Sequence, residues 1–270
     1  MEYETFELKD RTRIRIPPIN IITWLEYHLL LGFEHFYIFD NDKKPHGPSE
    51  TLLQPYVDEA IVTYIWYPME DCYRKSSDEL DGSRITVSQA MSSMMSLRRY
   101  EHETEFMGHF DIDEYIQLPQ DTHDAKDLVR QLPPDKASIT LFQQWYHECD
   151  QRSSDMKPVQ ETTKVFPLNR KLCVSPDSTP GKSIMRTKDI LGFFVHTPWV
   201  KTDHTLFDWD KDQQNLEGLS IAHMRGRRAR DGIPPQIIGD PKHLISRLEW
   251  RTALQEKVDQ RMQDFRRLRV

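Results

Sequence analysis

Cysteine and long apolar runs are both scarce in this chain of 270 residues. Its three cysteines, Cys72, Cys149 and Cys173, are too few for a disulfide framework, and their spacing matches no zinc-binding motif. No apolar run reaches the length of about 18 residues that a transmembrane helix needs. The opening residues, MEYETFELKDR, are too polar for a signal peptide. As written, the chain is expected to be soluble, without a membrane span, and the sequence assigns it to no compartment.

An excess of positive charge is also lacking. The chain carries 36 basic and 43 acidic residues, which gives a formal net charge of −7. Proteins that bind nucleic acid through its phosphates usually present a strongly basic surface, so no nucleic-acid partner is predicted. The hydrophobic content of 37% and the charged content of 29% are those of a soluble globular protein. The sequence does not indicate an oligomeric state.

Apolar periodicity predicts that strands and helices alternate along the first part of the chain. The predicted strands are residues 11–16, 35–39, 60–66, 105–110, 138–142 and 192–196, and the predicted helices are residues 21–31, 49–54, 83–100 and 124–132. Gly32 is expected to end the first helix, because glycine is favoured just after a helix C-terminus. This alternation predicts an α/β fold with a mixed, mainly parallel sheet flanked by helices.

The second part of the chain has weaker periodicity. Residues 143–197 are polar and contain several prolines, which predicts long loops over a site. Residues 241–270 are charged, with apolar residues roughly in helical phase, and predict an amphipathic helix. We therefore predict one domain over residues 1–240, followed by a C-terminal helix that packs on this domain or on a partner.

The stretch Phe106–Pro119, which reads FMGHFDIDEYIQLP, carries the strongest chemical signal. Apolar residues lead into Asp111 and Asp113, whose spacing at the end of a strand directs both carboxylates toward one spot. Two such carboxylates repel each other unless they share a cation. Ligand sites of open α/β sheets lie at the carboxyl ends of the strands. The pattern therefore favours a divalent-metal site, although a solvated acidic turn would show the same spacing.

Other candidate residues follow predicted strands or lie in basic segments. Asp40 and Asp42 end the second strand and could bind a base or ribose, or form a polar turn. His196 and His223 are each a possible third metal ligand or a structural histidine.

Four basic residues could neutralise a diphosphate, and two acidic residues could activate an acceptor. The basic residues are Lys182, Arg186, Arg225 and Arg227. A solvated basic loop is the alternative for the last two. Glu148 and Asp150 follow aromatic residues after a strand, where a carboxylate could remove a proton from a hydroxyl, or simply end the strand.

Four blocks of the chain resemble glycosyltransferase family 92 over residues 11–230. Residues 20–42 read NIITWLEYHLLLGFEHFYIFDND and resemble the opening of that family. Tyr56-Val57 with Val62–Trp66, the helix Gln89–Tyr100, and the DIDEY block within Phe106–Pro119 follow in the same order as in the family. The first and last of these blocks are the most specific.

The resemblance implies a GT-A fold of the Rossmann-like type, a nucleotide-sugar donor and a divalent cation, Mn²⁺ or Mg²⁺. It further implies transfer of galactose from UDP-galactose to a glycan acceptor, with inversion. Carried over to this sequence, Asp111 would face the ribose and the metal, Asp113 would hold the metal, and Asp40 would lie by the nucleoside. His196 or His223 would be a later ligand near the diphosphate. Relatives are commonly Golgi proteins.

The chain also departs from the family pattern. Ile21 stands where the family has an acidic residue, and the segment QQWYHECDQRSSD after the strand at Ile139 does not match. These departures concern the acceptor side, so the resemblance supports the donor class more than the acceptor. Two alternatives stay open: a haloacid-dehalogenase-like phosphatase, which also uses a D-x-D pair, and a catalytically silent carbohydrate-binding module on the same fold.

Overall fold

The structure is a computed structural model. It describes residues 6–7, 13–14, 18–40, 45–68, 73–75, 84–118, 122, 124–148, 157–158, 172–193, 196, 198–201, 205–207, 219–224, 256–261, 263 and 267. All statements below concern these residues.

The N-terminal part forms a βαβ unit preceded by a helix. Helix α1 (Pro18–Leu30) leads to strand β3 (Phe36–Asp40), and helix α2 (Pro48–Asp58) connects β3 to strand β4 (Val62–Trp66). Strands β3 and β4 pair in parallel, as a strand–helix–strand sequence predicts. Two short strands, β1 (Phe6–Glu7) and β2 (Arg13–Ile14), precede this unit.

Helix α1 ends as the sequence predicts. Gly32 has a φ of +88°, a backbone conformation that glycine adopts without strain. The amide of Phe33 donates to the carbonyl of His28 at 3.0 Å, which closes the last turn. A side chain at position 32 would also collide with Asp124, because a Cβ there would lie 2.2 Å from its Oδ1.

The larger sheet is built around two long antiparallel strands. Strand β9 (Lys136–Glu148) pairs with strand β11 (Leu172–Arg186) over nearly its whole length. The other strands of this sheet are β7 (Phe106–Gly108), β8 (Glu114–Gln117), β10 (Lys157–Pro158), β14 (Thr205–Phe207) and β15 (Ser220–Met224). The strand order is β10-β11-β9-β15-β8, with β14 on β9 and β7 on β11.

This sheet corrects two predictions about the second part of the chain. The α/β class is confirmed, but the described sheet is mixed rather than mainly parallel: β15 and β14 run parallel to β9, whereas β11, β7 and β8 pair antiparallel to their neighbours. Residues 172–186, predicted as loop, form β11. Periodicity missed this strand because its buried positions include polar side chains such as Lys182 and Ser183.

The remaining described elements pack around the two sheets. They are helix α3 (Val87–Tyr100), helix α4 (Ala125–Arg130), the hairpin strands β12 (Ile190–Phe193) and β13 (Pro198–Val200), and the short pair β5 (Tyr73–Lys75) and β6 (Arg84–Thr86). The main core joins α1, α2, β4 and β8 through residues such as Leu25, Leu53, Val62 and Ile116. A smaller core forms between α3, β9, β11 and β12.

Part of the predicted C-terminal helix is described. Residues 256–261 are helical, and Val258 is buried in the main core. Arg261 bonds to Glu59 through both terminal guanidinium nitrogens, at 2.6 Å each, and its Nε lies 3.2 Å from Glu26. The described residues 256–261 therefore pack on the domain; residues 241–255 lie outside the described residues. Among the described residues, no helix is both long and apolar enough to cross a membrane.

Candidate active site at the turn after strand β7

Asp111 and Asp113 lie in a tight turn between strands β7 and β8. The amide of Glu114 donates to the Asp111 carbonyl at 2.9 Å, and the amide of Asp111 donates to the Glu114 carboxylate, also at 2.9 Å. Helix α1 supports the following strand, because the Trp24 indole donates to the carbonyl of Glu114 and the Tyr27 hydroxyl to that of Ile116. The turn is therefore held at both ends by hydrogen bonds.

Both carboxylate oxygens of Asp111 accept hydrogen bonds from side chains on other elements. Gln89 on α3 donates to Oδ1 at 2.7 Å. Lys182 on β11 donates to Oδ2 at 3.3 Å. Burial acts to raise the pKa of Asp111, but the charge of Lys182, the electrostatic interaction with His109 and the hydrogen bond from Lys182 outweigh it, so the pKa lies below its ordinary value. Asp111 is therefore an ionised carboxylate in a fixed orientation.

Glu114 is the buried acid behind the turn, with its side chain fully shielded from solvent. Gln143 donates to its Oε1, and Lys182 Nζ lies 3.7 Å from its Oε2. Burial, followed by the negative charge of Asp111, raises the pKa of Glu114 to about 8, against the opposing charge of Lys182. This acid therefore belongs to the interior and has no open path to a substrate.

Asp113 faces a histidine on strand β15. Oδ1 of Asp113 lies 3.7 Å from Nε2 of His223, and the two side chains are 15% and 13% exposed. The other ring nitrogen of His223, Nδ1, lies 3.6 Å from Glu114. Strand register explains the meeting, because His223 is the antiparallel partner of Glu114. The structure thus places Asp111, Asp113, Lys182 and His223 around one turn.

Two further histidines, His109 and His196, contact residues near the site. The ring of His109 is 3.0 Å from the Ser93 hydroxyl, and burial followed by the charge of Lys182 lowers the pKa of His109 to about 4. His196, exposed, has its Nδ1 2.6 Å from the carbonyl of Gly181. Of the two predicted histidine ligands, His223 thus has the direct contact with the acidic pair.

A cavity of about 1150 Å³ opens on the Asp111 side of the turn. Asp111 and Gln89 line it, whereas Asp113 and His223 are not among its lining residues. Its aromatic wall is formed by Trp24, Phe33, Phe36, Tyr37, Phe39, Phe106 and Phe110. The two acids of the motif therefore differ in what they face.

Asp40 ends β3 and is buried. Its Oδ2 accepts a hydrogen bond of 2.6 Å from the Tyr64 hydroxyl on the neighbouring strand β4. Phe39, just before it, lines the cavity. Asp40 is thus anchored within the sheet, one residue after Phe39, and is not itself among the residues that line the cavity.

Several predicted site residues are not described. Asp42, Asp150, Arg225 and Arg227 lie outside the described residues, and only the backbone of Glu148 is described. Arg186 bonds to the carbonyls of Pro134 and Lys136 and the carboxylate of Asp189, and it lines the same cavity as Asp111. Of the described cations, Lys182 contacts the acidic motif, through Asp111 and Glu114.

Sequence reasoning missed four residues of the site: Gln89, His109, Glu114 and Gln143. A signal existed for two of them, since Glu114 directly follows the acidic pair and His109 lies two residues before Asp111. Gln89 and Gln143 reach the turn from α3 and β9, through contacts between elements that no local pattern reveals.

The site offers a metal few protein ligands. Among the described residues, no group of three or more His, Cys, Asp or Glu side chains is arranged to hold a metal ion. Asp113 and His223 form a pair of suitable type, while Lys182 and Gln89 occupy Asp111. Cations that act on phosphates are commonly bound by one or two side chains together with phosphate oxygens and water. Among the described residues, Asp113 and His223 are the pair that could take part in such a site.

The sequence model of glycosyltransferase family 92 matches residues 18–266, which is nearly the whole chain. A comparison with curated proteins gives no significant match. The match includes the turn at Asp111, the helix α1 that supports it, and the strand that carries His223. The chain therefore belongs to glycosyltransferase family 92 and is a glycosyltransferase.

Proposed function

We propose that this chain is a metal-dependent glycosyltransferase of the GT-A type, which transfers galactose from UDP-galactose to a glycan hydroxyl with inversion. Family membership supports glycosyl transfer, and the family resemblance supports galactose and inversion. The observation that carries the proposal is the acidic turn: a fixed carboxylate, Asp111, faces a large cavity, and a second one, Asp113, faces a histidine.

The cavity is suited to the nucleoside part of the donor. Sites for small molecules commonly measure about 300 to 1000 Å³, and this cavity, at about 1150 Å³, is slightly larger. Its aromatic wall offers flat apolar surface to a base, and the Asp111 carboxylate can accept hydrogen bonds from ribose hydroxyls. Asp40, fixed by Tyr64 beside this cavity, is the second acid on the nucleoside side.

The diphosphate would lie on the other side of the turn, by Asp113 and His223. These two residues would hold the divalent cation, which supplies Lewis-acid stabilisation of charge on the departing diphosphate. Arg225 and Arg227 directly follow the strand that carries His223 and would add positive charge on this side. His223 itself is held between two acids, which orients its ring.

An acceptor base must come from another part of the chain. Glu114 is fully shielded from solvent and cannot reach an acceptor hydroxyl. Glu148 ends strand β9, three residues after Trp145, whose register partner is His223. At about 3.3 Å per strand residue, Glu148 lies about 10 Å along the strand from the level of His223. Glu148 or Asp150 would remove the proton as the hydroxyl displaces the nucleoside diphosphate.

Nucleotide binding tests the proposal most directly. Calorimetric titration of the purified chain with UDP, GDP and their sugars, with and without Mn²⁺, should show Mn²⁺-dependent binding that prefers uridine. Asp113→Ala should abolish the metal dependence. Asp127→Ala, which removes an exposed acid on α4, is the matched control and should leave binding intact. Absence of nucleotide binding under every condition would refute the proposed function.

Product formation separates the enzyme from its alternatives. Incubation with UDP-galactose and a glycan panel should give a galactosylated product whose anomeric configuration, measured by NMR, is inverted relative to the donor. Binding without transfer or donor hydrolysis would indicate a silent carbohydrate-binding module. Release of inorganic phosphate from phosphomonoesters would indicate a phosphatase, which family membership argues against.

A further inference from the structure

Lys182 is a buried cation inside an acidic site. Its side chain has no solvent exposure. Nζ of Lys182 lies 3.3 Å from Asp111 and 3.7 Å from Glu114. A buried ammonium is costly to desolvate and persists only where acids compensate it. Lys182 therefore lies between Asp111 and Glu114 and contacts both carboxyl groups.

The contacts of Lys182 distinguish Asp111 from Asp113. With Gln89 on one oxygen and Lys182 on the other, Asp111 is already engaged by two donors. A positive charge at 3.3 Å also opposes the approach of a second cation to the same carboxylate. Asp113, by contrast, lies beside His223.

We propose that Lys182 is a positioning residue that withholds Asp111 from the metal and holds it toward the nucleoside. The metal is thereby restricted to Asp113, His223 and the donor diphosphate. This inference rests on the proposed function, because it assigns the two acids of one donor site to different parts of the donor. It also gives Lys182 a role through Asp111, in place of direct contact with the diphosphate.

The substitution Lys182→Met tests this assignment, because Mn²⁺ and the nucleotide have opposite charge. Their affinities should therefore change in opposite directions. Without the ammonium, Asp111 becomes available to a cation, so Mn²⁺ alone should bind at least about tenfold more tightly. The nucleotide should bind about tenfold more weakly, because its anionic diphosphate loses a nearby positive charge and Asp111 loses its fixed orientation. A purely structural role for Lys182 would weaken both.

Two further variants keep the test independent of folding. Glu114→Gln retains the contact between Lys182 and Asp111 but also alters the residue beside His223, so it is the reference for the double variant. The double variant Lys182→Met/Glu114→Gln removes the buried ammonium together with the neighbouring buried carboxyl group, and exchanges of buried polar groups for neutral side chains are often tolerated. Relative to Glu114→Gln, it should show the same tightening of Mn²⁺ binding as Lys182→Met shows relative to the unaltered chain. Lys257→Met, on the exposed face of the C-terminal segment, is the matched lysine control.

Mn²⁺ binding is measured by the loss of the free-ion signal in electron paramagnetic resonance, and UDP binding by calorimetry in the presence of Mn²⁺. Tighter Mn²⁺ and weaker UDP binding in Lys182→Met, or in the double variant if the single one does not fold, supports the inference. Unchanged or weaker Mn²⁺ binding in the folded variants overturns it while the unaltered chain still binds UDP. If the unaltered chain binds neither ligand, the proposed function itself fails.

Discussion

Two charged clusters, one around Lys182 and one around Arg261, lie near different residues of helix α1 and have different roles. On one side, α1 supports the acidic turn through Trp24 and Tyr27, and the cluster is centred on the buried point charge of Lys182. On the other side, Glu26 of α1 joins Arg261 in the C-terminal segment. Each cluster pairs one cation with two acids, yet their geometries differ.

The Arg261 cluster is a structural clamp. Its guanidinium grips Glu59 with two parallel hydrogen bonds, contacts Glu26 and lies over the Tyr56 ring, 4.6 Å from its centroid. The Tyr56 hydroxyl donates to Glu26, so that acid is satisfied as well. Planar, bidentate contacts of this kind fix geometry. The Lys182 cluster has longer contacts to a compact charge, and one of its acids, Asp111, lines a cavity. The two clusters therefore differ in that one of them faces a space that a ligand can enter.

The largest expected effect concerns the acid that faces His223. Asp113→Asn should lower the rate of glycosyl transfer at least about a hundredfold, because removal of one charge-stabilising group commonly costs about 10² to 10³ in rate. Thermal unfolding should change little, since Asp113 lies in a turn at the edge of the core. Steady-state kinetics and calorimetric scanning measure the two quantities; a large loss of stability would place Asp113 among the structural residues instead.

Loss of the buried cation should affect stability most. Lys182→Met removes the buried partner of the ionised Asp111, and breaking such a pair costs at most about 3 kcal/mol, because Asp111 is partly exposed. Urea unfolding of the variant measures the free energy. The double variant with Glu114→Gln should lose about as much as Lys182→Met, because burial raises the pKa of Glu114 to about 8 and leaves its carboxyl group largely neutral at pH 7. Recovery of most of the loss in the double variant would contradict this explanation.

Acid should weaken the site-facing side of α1 through His28. This residue is fully buried, and burial lowers its pKa to about 4 from 6.5, while its bond to the Trp24 carbonyl opposes the shift. The unfolded chain therefore binds the extra proton first, so stability falls as the pH drops from about 6.5 to about 4, by about 3 kcal/mol in full.

The variant His28→Phe isolates this effect. Because phenylalanine does not titrate, the loss of unfolding free energy between pH 7 and pH 4.5 should be smaller in the variant than in the unaltered chain. Urea unfolding at both pH values gives the difference between the two losses. Parallel losses in the two proteins would show that other groups, such as His109, dominate the acid sensitivity.

The smallest effect is expected on the clamp side. Arg261→Gln should lower the free energy of unfolding by about 1 to 2 kcal/mol, since it removes charged hydrogen bonds from a partly exposed cluster. Nucleotide affinity should not change, because α1 meets the acidic turn through other side chains. Lys126→Ala, which removes an exposed ion pair with Glu34, is the control and should cost less than about 0.5 kcal/mol. If Arg261→Gln altered UDP binding, the Arg261 cluster would also contribute to ligand binding, and the proposed difference between the two clusters would be wrong.

Local patterns predicted the elements around α1 well. The helix, its end at Gly32, strands β3 and β4, and helix α3 follow from apolar spacing and glycine preference, which act over a few residues. Strand β11 was missed because its partners supply the hydrogen bonds and because polar residues occupy buried positions. Its pairing with β9 also explains why the predicted mainly parallel sheet is mixed.

The sequence by itself determined the α/β class, the acidic pair and, through its motifs, the family. These features depend on neighbouring residues or on the order of motifs along the chain, so they can be recognised without the tertiary structure. The tertiary structure decided what each acid faces. Lys182 meets Asp111 across 71 positions, and His223 meets Glu114 through antiparallel register. Only folding sets such distances and the burial that shifts a pKa, and for that reason Asp111 and Asp113 look alike in sequence but differ in the site.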